Sequence, residues 1–373
     1  MKPSDPSTLL PDLPPGAEIL VARLRSLGDI VLETPAIAAL HAWRPDLRIF
    51  VLIEKRFSAA LEGNPAIAGL IFSRGFFETS SEIRRHRFPV IFNQHGGPRS
   101  ALLTAASGAR FRVGWRGFQY SFIYNVPVAD SAEFYGQPVV HTVEHRISQF
   151  YATGLPREPI PSARVYPRAD ALSRVSQFLA AQGIAAPYAV LQPEARAPEM
   201  RWAAKKFAEI ARWLRDTHGI ATVVNLSAAS APLSAEIRAA FANSAVNANN
   251  VAIIAESLPL PDLIALISQA RLFIGNDSGP VHLAAACGTP AVVIYGPTNP
   301  AQWRPWQSEY RVVSTGTQFR ALRGDKTVAI SQPKPISAIA VDEVRSACEQ
   351  ILAQKISRAP VEKVPAELKS QEN

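Results

Sequence analysis

Residues 275–297 read GNDSGPVHLAAACGTPAVVIYGP, and their reading decides the fold. A short apolar run at 272–274 precedes them and fits a buried parallel strand. Then come an Asn276-Asp277-Ser278-Gly279 turn, a short apolar helix, a stop at Gly288 and a second strand over 291–295. A turn that delivers a helix N-terminus at the end of a buried strand predicts an anion site. The first N–H groups of the helix lack internal partners, and its dipole favours negative charge. Gly279 admits close backbone approach, and Pro280 suits the first helical position. A phosphate group is the expected guest. The plainer alternative is a structural strand-turn-helix with a well-capped helix.

Outward from this stretch, strands and helices alternate along the chain, which predicts parallel, doubly wound sheets. Expected strands cover 18–23, 48–53, 69–72 and 89–92 in the first half, with helices at 30–43 and 146–153. In the second half, expected strands cover 188–192, 221–226 and 251–254, with helices at 171–182, 203–217, 234–243, 260–268 and 341–355. The expected organisation is a disordered segment at 1–16, a first domain at 17–155, a linker at 156–170, a second domain at 171–338, a C-terminal helix at 339–357 and a disordered tail at 358–373. Ligands of open α/β sheets bind outside the carboxyl ends of the strands. The Leu27-Gly28-Asp29 turn and the Asn276–Gly279 turn both lie at such ends, one in each half, and are expected to share a cleft. Neither matches the glycine patterns of dinucleotide or P-loop sites, which disfavours a nicotinamide oxidoreductase or an ATPase.

The chain has 373 residues, 47% of them hydrophobic and 19% charged, which suits two globular domains and excludes a disordered protein. The two cysteines, Cys287 and Cys348, imply neither a disulfide framework nor a zinc site. The proline-rich N-terminus lacks the features of a secretory signal, and no apolar run is long enough to cross a bilayer, so a cytoplasmic protein is expected. The formal charge of +8 is uneven. Eight arginines lie between Arg74 and Arg116 against Glu78 and Glu82 alone. Such a patch attracts a phosphorylated substrate or the anionic face of the inner membrane, unless it is simply a solvated face. Nucleic acid ranks last, because no recognisable binding module accompanies it.

The chain resembles glycosyltransferase family 9, the ADP-heptose:lipopolysaccharide heptosyltransferase group. ILVARLRSLGDIVLETPAIAALHAWRPDLRI and FIGNDSGPVHLAAACGTPAVVIYGPTNPAQWRP carry the resemblance, with NQHGGPRSALL and GARFRVGW as weaker segments between them. It implies a GT-B fold of two facing Rossmann-like domains, with the acceptor on the first and the nucleotide sugar on the second. It also implies inverting transfer with no metal and no cofactor. Asp29 falls on the family's general base, though the commoner use of such an Asp is a helix N-cap. Inverting transfer needs a carboxylate to take the acceptor hydroxyl proton as that oxygen attacks the anomeric carbon. Gly28, His95 and Arg99 are the implied acceptor contacts. Asp277, Ser278, Gly279, Val281 and His282 are the implied donor contacts, their amides holding the departing diphosphate.

Three places depart from the family pattern. Pro193-Glu194-Ala195 stands for Pro-Gly-Ala, Met200 stands where a lysine belongs, and residues 227–230 replace a glycine-rich turn. Arg201 or Arg196 would then supply the missing cation, Arg201 being preferred for its place beside Met200. The expected function is transfer of a sugar, plausibly a heptose, from an ADP-heptose-like donor to an anionic glycan or lipid-linked acceptor, with peripheral contact at the cytoplasmic face of the inner membrane. A family member that binds nucleotide or glycan without turnover is the alternative.

Overall fold

The computed structural model describes residues 5–184, 187–227, 231–243, 251–254, 258–322 and 327–354. They fall into two α/β units that divide between Arg164 and Val165, with Ala321, Leu322, Thr327 and Val328 counting with the first. The first unit contains β1 (Glu18–Ala22), α1 (Leu27–Val31), α2 (Thr34–Trp43), β2 (Arg48–Ile53), β3 (Gly69–Phe72), α3 (Phe76–His86), β4 (Val90–Asn93), α4 (Pro98–Ala106), β5 (Phe111–Trp115), β6 (Val126–Val128), α5 (Ser131–Tyr135) and α6 (Thr142–Tyr151). Its six strands run in the order β3-β2-β1-β4-β5-β6, each parallel to its neighbours.

The second unit repeats the plan. It contains α7 (Ala169–Ala181), β7 (Tyr188–Gln192), α8 (Ala204–His218), β8 (Ala221–Asn225), α9 (Ala231–Asn243), β9 (Val251–Ile254), α10 (Leu260–Gln269), β10 (Leu272–Asn276), α11 (Gly279–Ala286), β11 (Ala291–Tyr295), α12 (Pro300–Trp303), β12 (Tyr310–Ser314) and α13 (Val341–Leu352). Its sheet runs β12-β11-β10-β7-β8-β9, again all parallel. A short pair, β13 (Gln318–Ala321) and β14 (Thr327–Ser331), stands outside both sheets.

Strand order reverses once in each sheet, between β1 and β4 and between β10 and β7. At such a switch point the two connections leave toward opposite faces and open a crevice at the strand ends. The Asp29 turn follows β1, and the Asp277 turn follows β10. Each therefore sits where its own sheet can hold a ligand. The central strands are buried on both faces, which is why they read as unbroken apolar runs.

Four expectations need correction. Residues 1–16 are not a disordered lead-in over the part described. Pro6–Thr8 form a 3-10 helix, Leu9, Leu10 and Leu13 are buried, and Arg44 donates to the carbonyls of Leu10, Pro11 and Leu13. The helix expected over 30–43 is two helices. Glu33 occupies the N-cap position of α2 without a side-chain cap, and Pro35 takes an early position in the helix, where its missing N–H costs nothing. α6 begins at Thr142 rather than 146, because a His141–Glu144 capping box starts it there. α13 is not a separate body; Val344, Ala347, Cys348 and Ile351 join the core of the second unit. The expected tail at 358–373 lies outside the described residues.

Candidate active site

At the end of β1 the chain carries two charges into the interior. Arg23 is 6% exposed and Arg146, on α6, is 5% exposed. Both guanidiniums pair with Oδ1 of Asp29, Arg146 Nη2 at 2.9 Å. Each also donates to the Gln94 carbonyl at the end of β4, at 2.6 Å from Arg23 and 3.1 Å from Arg146. The second oxygen of Asp29, Oδ2, accepts from the Ser26 hydroxyl at 2.9 Å and the Ser26 amide at 3.3 Å. Burial alone would raise the pKa of Asp29. The charges of Arg23 and Arg146, with the Ser26 hydrogen bonds, outweigh it and bring the carboxyl down to about 2. Asp29 is thus both the N-terminal capping-box acid of α1 and an ionised carboxylate with 16% of its side chain open to solvent.

His95 enters the same field from the β4–α4 loop. The Asn93 side chain accepts from the amides of His95 and Gly96, at 3.0 and 2.9 Å, and so fixes the turn. Gly96 is required there: its φ is +71°, and a Cβ would meet the Phe118 ring at 2.3 Å. Burial, followed by the charges of Arg23 and Arg25, pushes the His95 imidazole down to about 4. It is neutral at physiological pH, and its Nδ1 accepts no hydrogen bond. The other two implied acceptor contacts are placed differently. Gly28 is buried, its carbonyl taken by the Leu32 amide, so it shapes the turn and offers no surface to an acceptor. Arg99 is exposed on the first turn of α4, where Nε donates to Ser73 Oγ at 2.9 Å.

In the second unit, α11 starts without a side-chain cap. The Ser278 hydroxyl turns back to the Asn276 carbonyl at 3.1 Å. The amides of Ser278 and Gly279 make no hydrogen bond among the described residues. Two uncapped donors at the positive end of a helix are the geometry that an anion site requires. Burial raises the Asp277 carboxyl to about 6, against a hydrogen bond from Thr298 and the charge of Arg196. Asn276 ties the neighbouring loop to this turn, accepting from the Trp202 amide at 3.0 Å and donating to the Pro193 carbonyl at 2.7 Å. His282 is 3% exposed. Val281 is fully buried and its amide is spent on the Ser278 carbonyl, so its expected place among the donor contacts is withdrawn.

The departures from the family pattern have structural answers. Glu194 is not loose negative charge, because its carboxylate accepts from the Ser227 amide at 2.9 Å and hydroxyl at 2.7 Å, clamping the end of β7 to the end of β8. Residues 228–230 of the altered turn lie outside the described residues. Arg201 folds onto its own loop, Nε and Nη2 both 3.3 Å from the Ala195 carbonyl. Arg196 is exposed, and its charge acts on Asp277. The geometry reverses the sequence preference, since Arg196 is the cation left facing the turn.

Sequence reading missed Arg23, Glu33, Gln94 and Arg146, four polar residues gathered around Asp29. One signal was present: Arg23 ends an apolar strand run, and a charge there must find a buried partner.

Known proteins resemble this chain over most of its length. A family model described as glycosyltransferase family 9 (heptosyltransferase) matches residues 77–328. Lipopolysaccharide heptosyltransferase 3 of Escherichia coli is 28% identical over 308 residues, spanning 76% of this chain and 85% of its own. Two solved structures share the fold. The glycosyl transferase family 9 protein of Veillonella parvula has a TM-score of 0.76 at 22% identity, covering 90% of this chain and 97% of its own. The ADP-heptose lps heptosyltransferase II of E. coli has a TM-score of 0.73 at 24% identity, covering 90% and 98%.

Proposed function

The chain belongs to glycosyltransferase family 9 and is a transferase, and on that premise we propose that it moves a heptose from ADP-heptose onto an anionic lipopolysaccharide-core acceptor with Asp29 as the base. The observation that carries this reading is the ionised, partly open Asp29 carboxylate at the switch point of the first sheet. The acceptor hydroxyl displaces the Ser26 hydroxyl at Oδ2, the oxygen not held by the arginines. Its oxygen forms a bond to the anomeric carbon while the bond from that carbon to the diphosphate breaks. The proton passes to Asp29, and ADP leaves with the bonding pair. Neutral His95 orients the acceptor sugar, and Arg99 meets an acceptor phosphate. On the other unit, the Ser278 and Gly279 amides with Arg196 hold the charge that grows on the diphosphate. Fixed donors do this without reorganising during the reaction. His282, buried in the first turn of the same helix, supports that site from within α11.

Calorimetry with ADP and ADP-heptose, combined with an ADP-release assay on a lipopolysaccharide-core acceptor, tests the reading. Arg196→Ala should weaken ADP binding by about one to two orders of magnitude, as expected for a charge-assisted hydrogen bond worth roughly 1.5 to 3 kcal/mol. Arg201→Ala should have the smaller effect. If the wild type binds no ADP and Met200→Lys restores binding, the protein is the non-catalytic family member.

A lipid-linked acceptor would bring the protein to an anionic bilayer. Among the described residues no helix is long and apolar enough to cross one. The first turn of α3 instead exposes Phe76 by 40% and Phe77 by 85%, beside a groove also lined by Arg84, Arg85 and Arg87. Exposed aromatic rings and arginines on one groove fit a phosphatidylglycerol-containing surface, where each basic residue is worth about 1 kcal/mol and a buried Phe about 1.5–3 kcal/mol. Phe76→Ser/Phe77→Ser should lower co-sedimentation with such vesicles by about tenfold or more at low salt. Equal partitioning of variant and wild type would remove this face from the docking role.

A further inference from the structure

Glu33 stands at the N-cap of α2 but caps nothing, and its side chain turns inward. It is 1% exposed, and neither carboxylate oxygen accepts a hydrogen bond among the described residues. Its nearest charge is Arg146, whose Nε lies 3.9 Å from Oε2. Arg146 therefore stands between two carboxylates, Nη2 on Asp29 and Nε toward Glu33. The charged groups facing Glu33 come from three elements: Arg146 on α6, Arg23 at the end of β1 and Asp29 on α1.

We propose that Glu33 is a positioning residue that sets how readily Asp29 takes a proton, by competing for Arg146. Ionised, Glu33 draws guanidinium charge away from Asp29 and makes it the stronger base. Protonated, it leaves both arginines to Asp29, which then holds its charge and accepts a proton poorly. The switch falls in a useful range. Burial raises the Glu33 carboxyl from 4.5 to about 7, against the opposing charges of Arg146 and Arg23. This inference rests on the reading of Asp29 as the base.

The test is the pH profile of kcat from about pH 5.5 to 9, with ADP-heptose and a lipopolysaccharide-core acceptor, for wild type, Glu33→Gln and Asp29→Asn. Wild-type kcat should rise with a midpoint near 7. Glu33→Gln mimics the protonated acid, so its profile should be flat through this range. At the alkaline end it should run about 3- to 10-fold below wild type, the effect of roughly one unit in the base's proton affinity, with KM unchanged. Glu33→Asp should restore part of the pH dependence. Activity in Asp29→Asn overturns the reading of the base. An inactive Asp29→Asn together with a wild-type profile in Glu33→Gln overturns only the role of Glu33.

Carboxyl ¹³C NMR gives a readout that needs neither turnover nor a folded Glu33→Gln variant. The Glu33 midpoint should fall in Asp29→Asn, where the like charge is gone and the two arginines no longer share their charge with a second carboxylate. An unmoved midpoint would show that the two carboxylates are not coupled and would overturn the proposal.

Discussion

Asp29→Asn should abolish transfer, lowering kcat by roughly 10² to 10⁴-fold, the usual worth of a positioned proton acceptor. Donor affinity should change little, because the donor turn belongs to the other unit. An amide keeps the size of the side chain, and its oxygen can still accept from Arg23 and Arg146. It cannot take the proton that the acceptor hydroxyl must lose. Its NH₂ group would also face the Ser26 amide, a donor where wild type has an acceptor. Calorimetry with ADP should confirm a competent donor site in the variant, and ADP release should report the lost step. Turnover close to wild type would take Asp29 out of the chemistry.

Arg146→Met should destabilise the protein by about 3–5 kcal/mol, the range for breaking a buried ion pair from one side. Methionine fills much of the same volume, so the loss comes from charge. Asp29 would keep only Arg23, and Glu33 would lose its nearest cation. The Gln94 carbonyl would lose one of two donors, while the Gln94 amide still donates to the backbone of position 146 at 3.1 Å. The urea midpoint should fall accordingly, and most steeply where Glu33 is ionised. The sign follows from its raised value in the fold. Glu33 contributes stability that is complete below about 4.5 and lost as pH rises through about 7. The penalty of the uncompensated carboxylate therefore appears at the alkaline end. A loss under about 1 kcal/mol at pH 8 would mean that water already screens this cluster.

What the sequence displayed was whatever is local. β1, β7, β10 and β11 are buried on both faces, so they show as apolar runs. The Gly-Asp and Asn-Asp-Ser-Gly turns carry their geometry in a few adjacent residues. β6, three residues with an exposed proline at its centre, and β12, largely half-exposed at the sheet edge, carry no such run and escaped notice. The environment of Asp29 was hidden for a different reason. Arg146 lies 117 residues away on a helix whose register depends on its His141–Glu144 cap. No spacing rule links the two. Glu33 looked like one more polar residue on a continuous helix until the break before Pro35 turned it inward. Arg201 was preferred for its place in the sequence, whereas the fold of its loop leaves Arg196 facing Asp277.

Leu10 leaves the ribosome long before its seat exists. Its amide donates to the carbonyl of Thr153 at 2.9 Å, just past the end of α6, and the chain must grow by roughly 140 residues before that acceptor is made. Gly154 completes the seat, since a Cβ there would strike the Ser7 carbonyl at 2.2 Å. At about 5–20 residues per second the wait is on the order of 10 to 30 s. β1 shares the delay on one side: it can pair with β2 early, but its other edge stays open until β4 emerges. Nascent chains arrested before β4 thus carry an open apolar strand edge and a Leu10 without its acceptor, and those arrested between β4 and the end of α6 still lack that acceptor. Slower translation across the first 155 codons should therefore lengthen the time for which these surfaces stand open to aggregation.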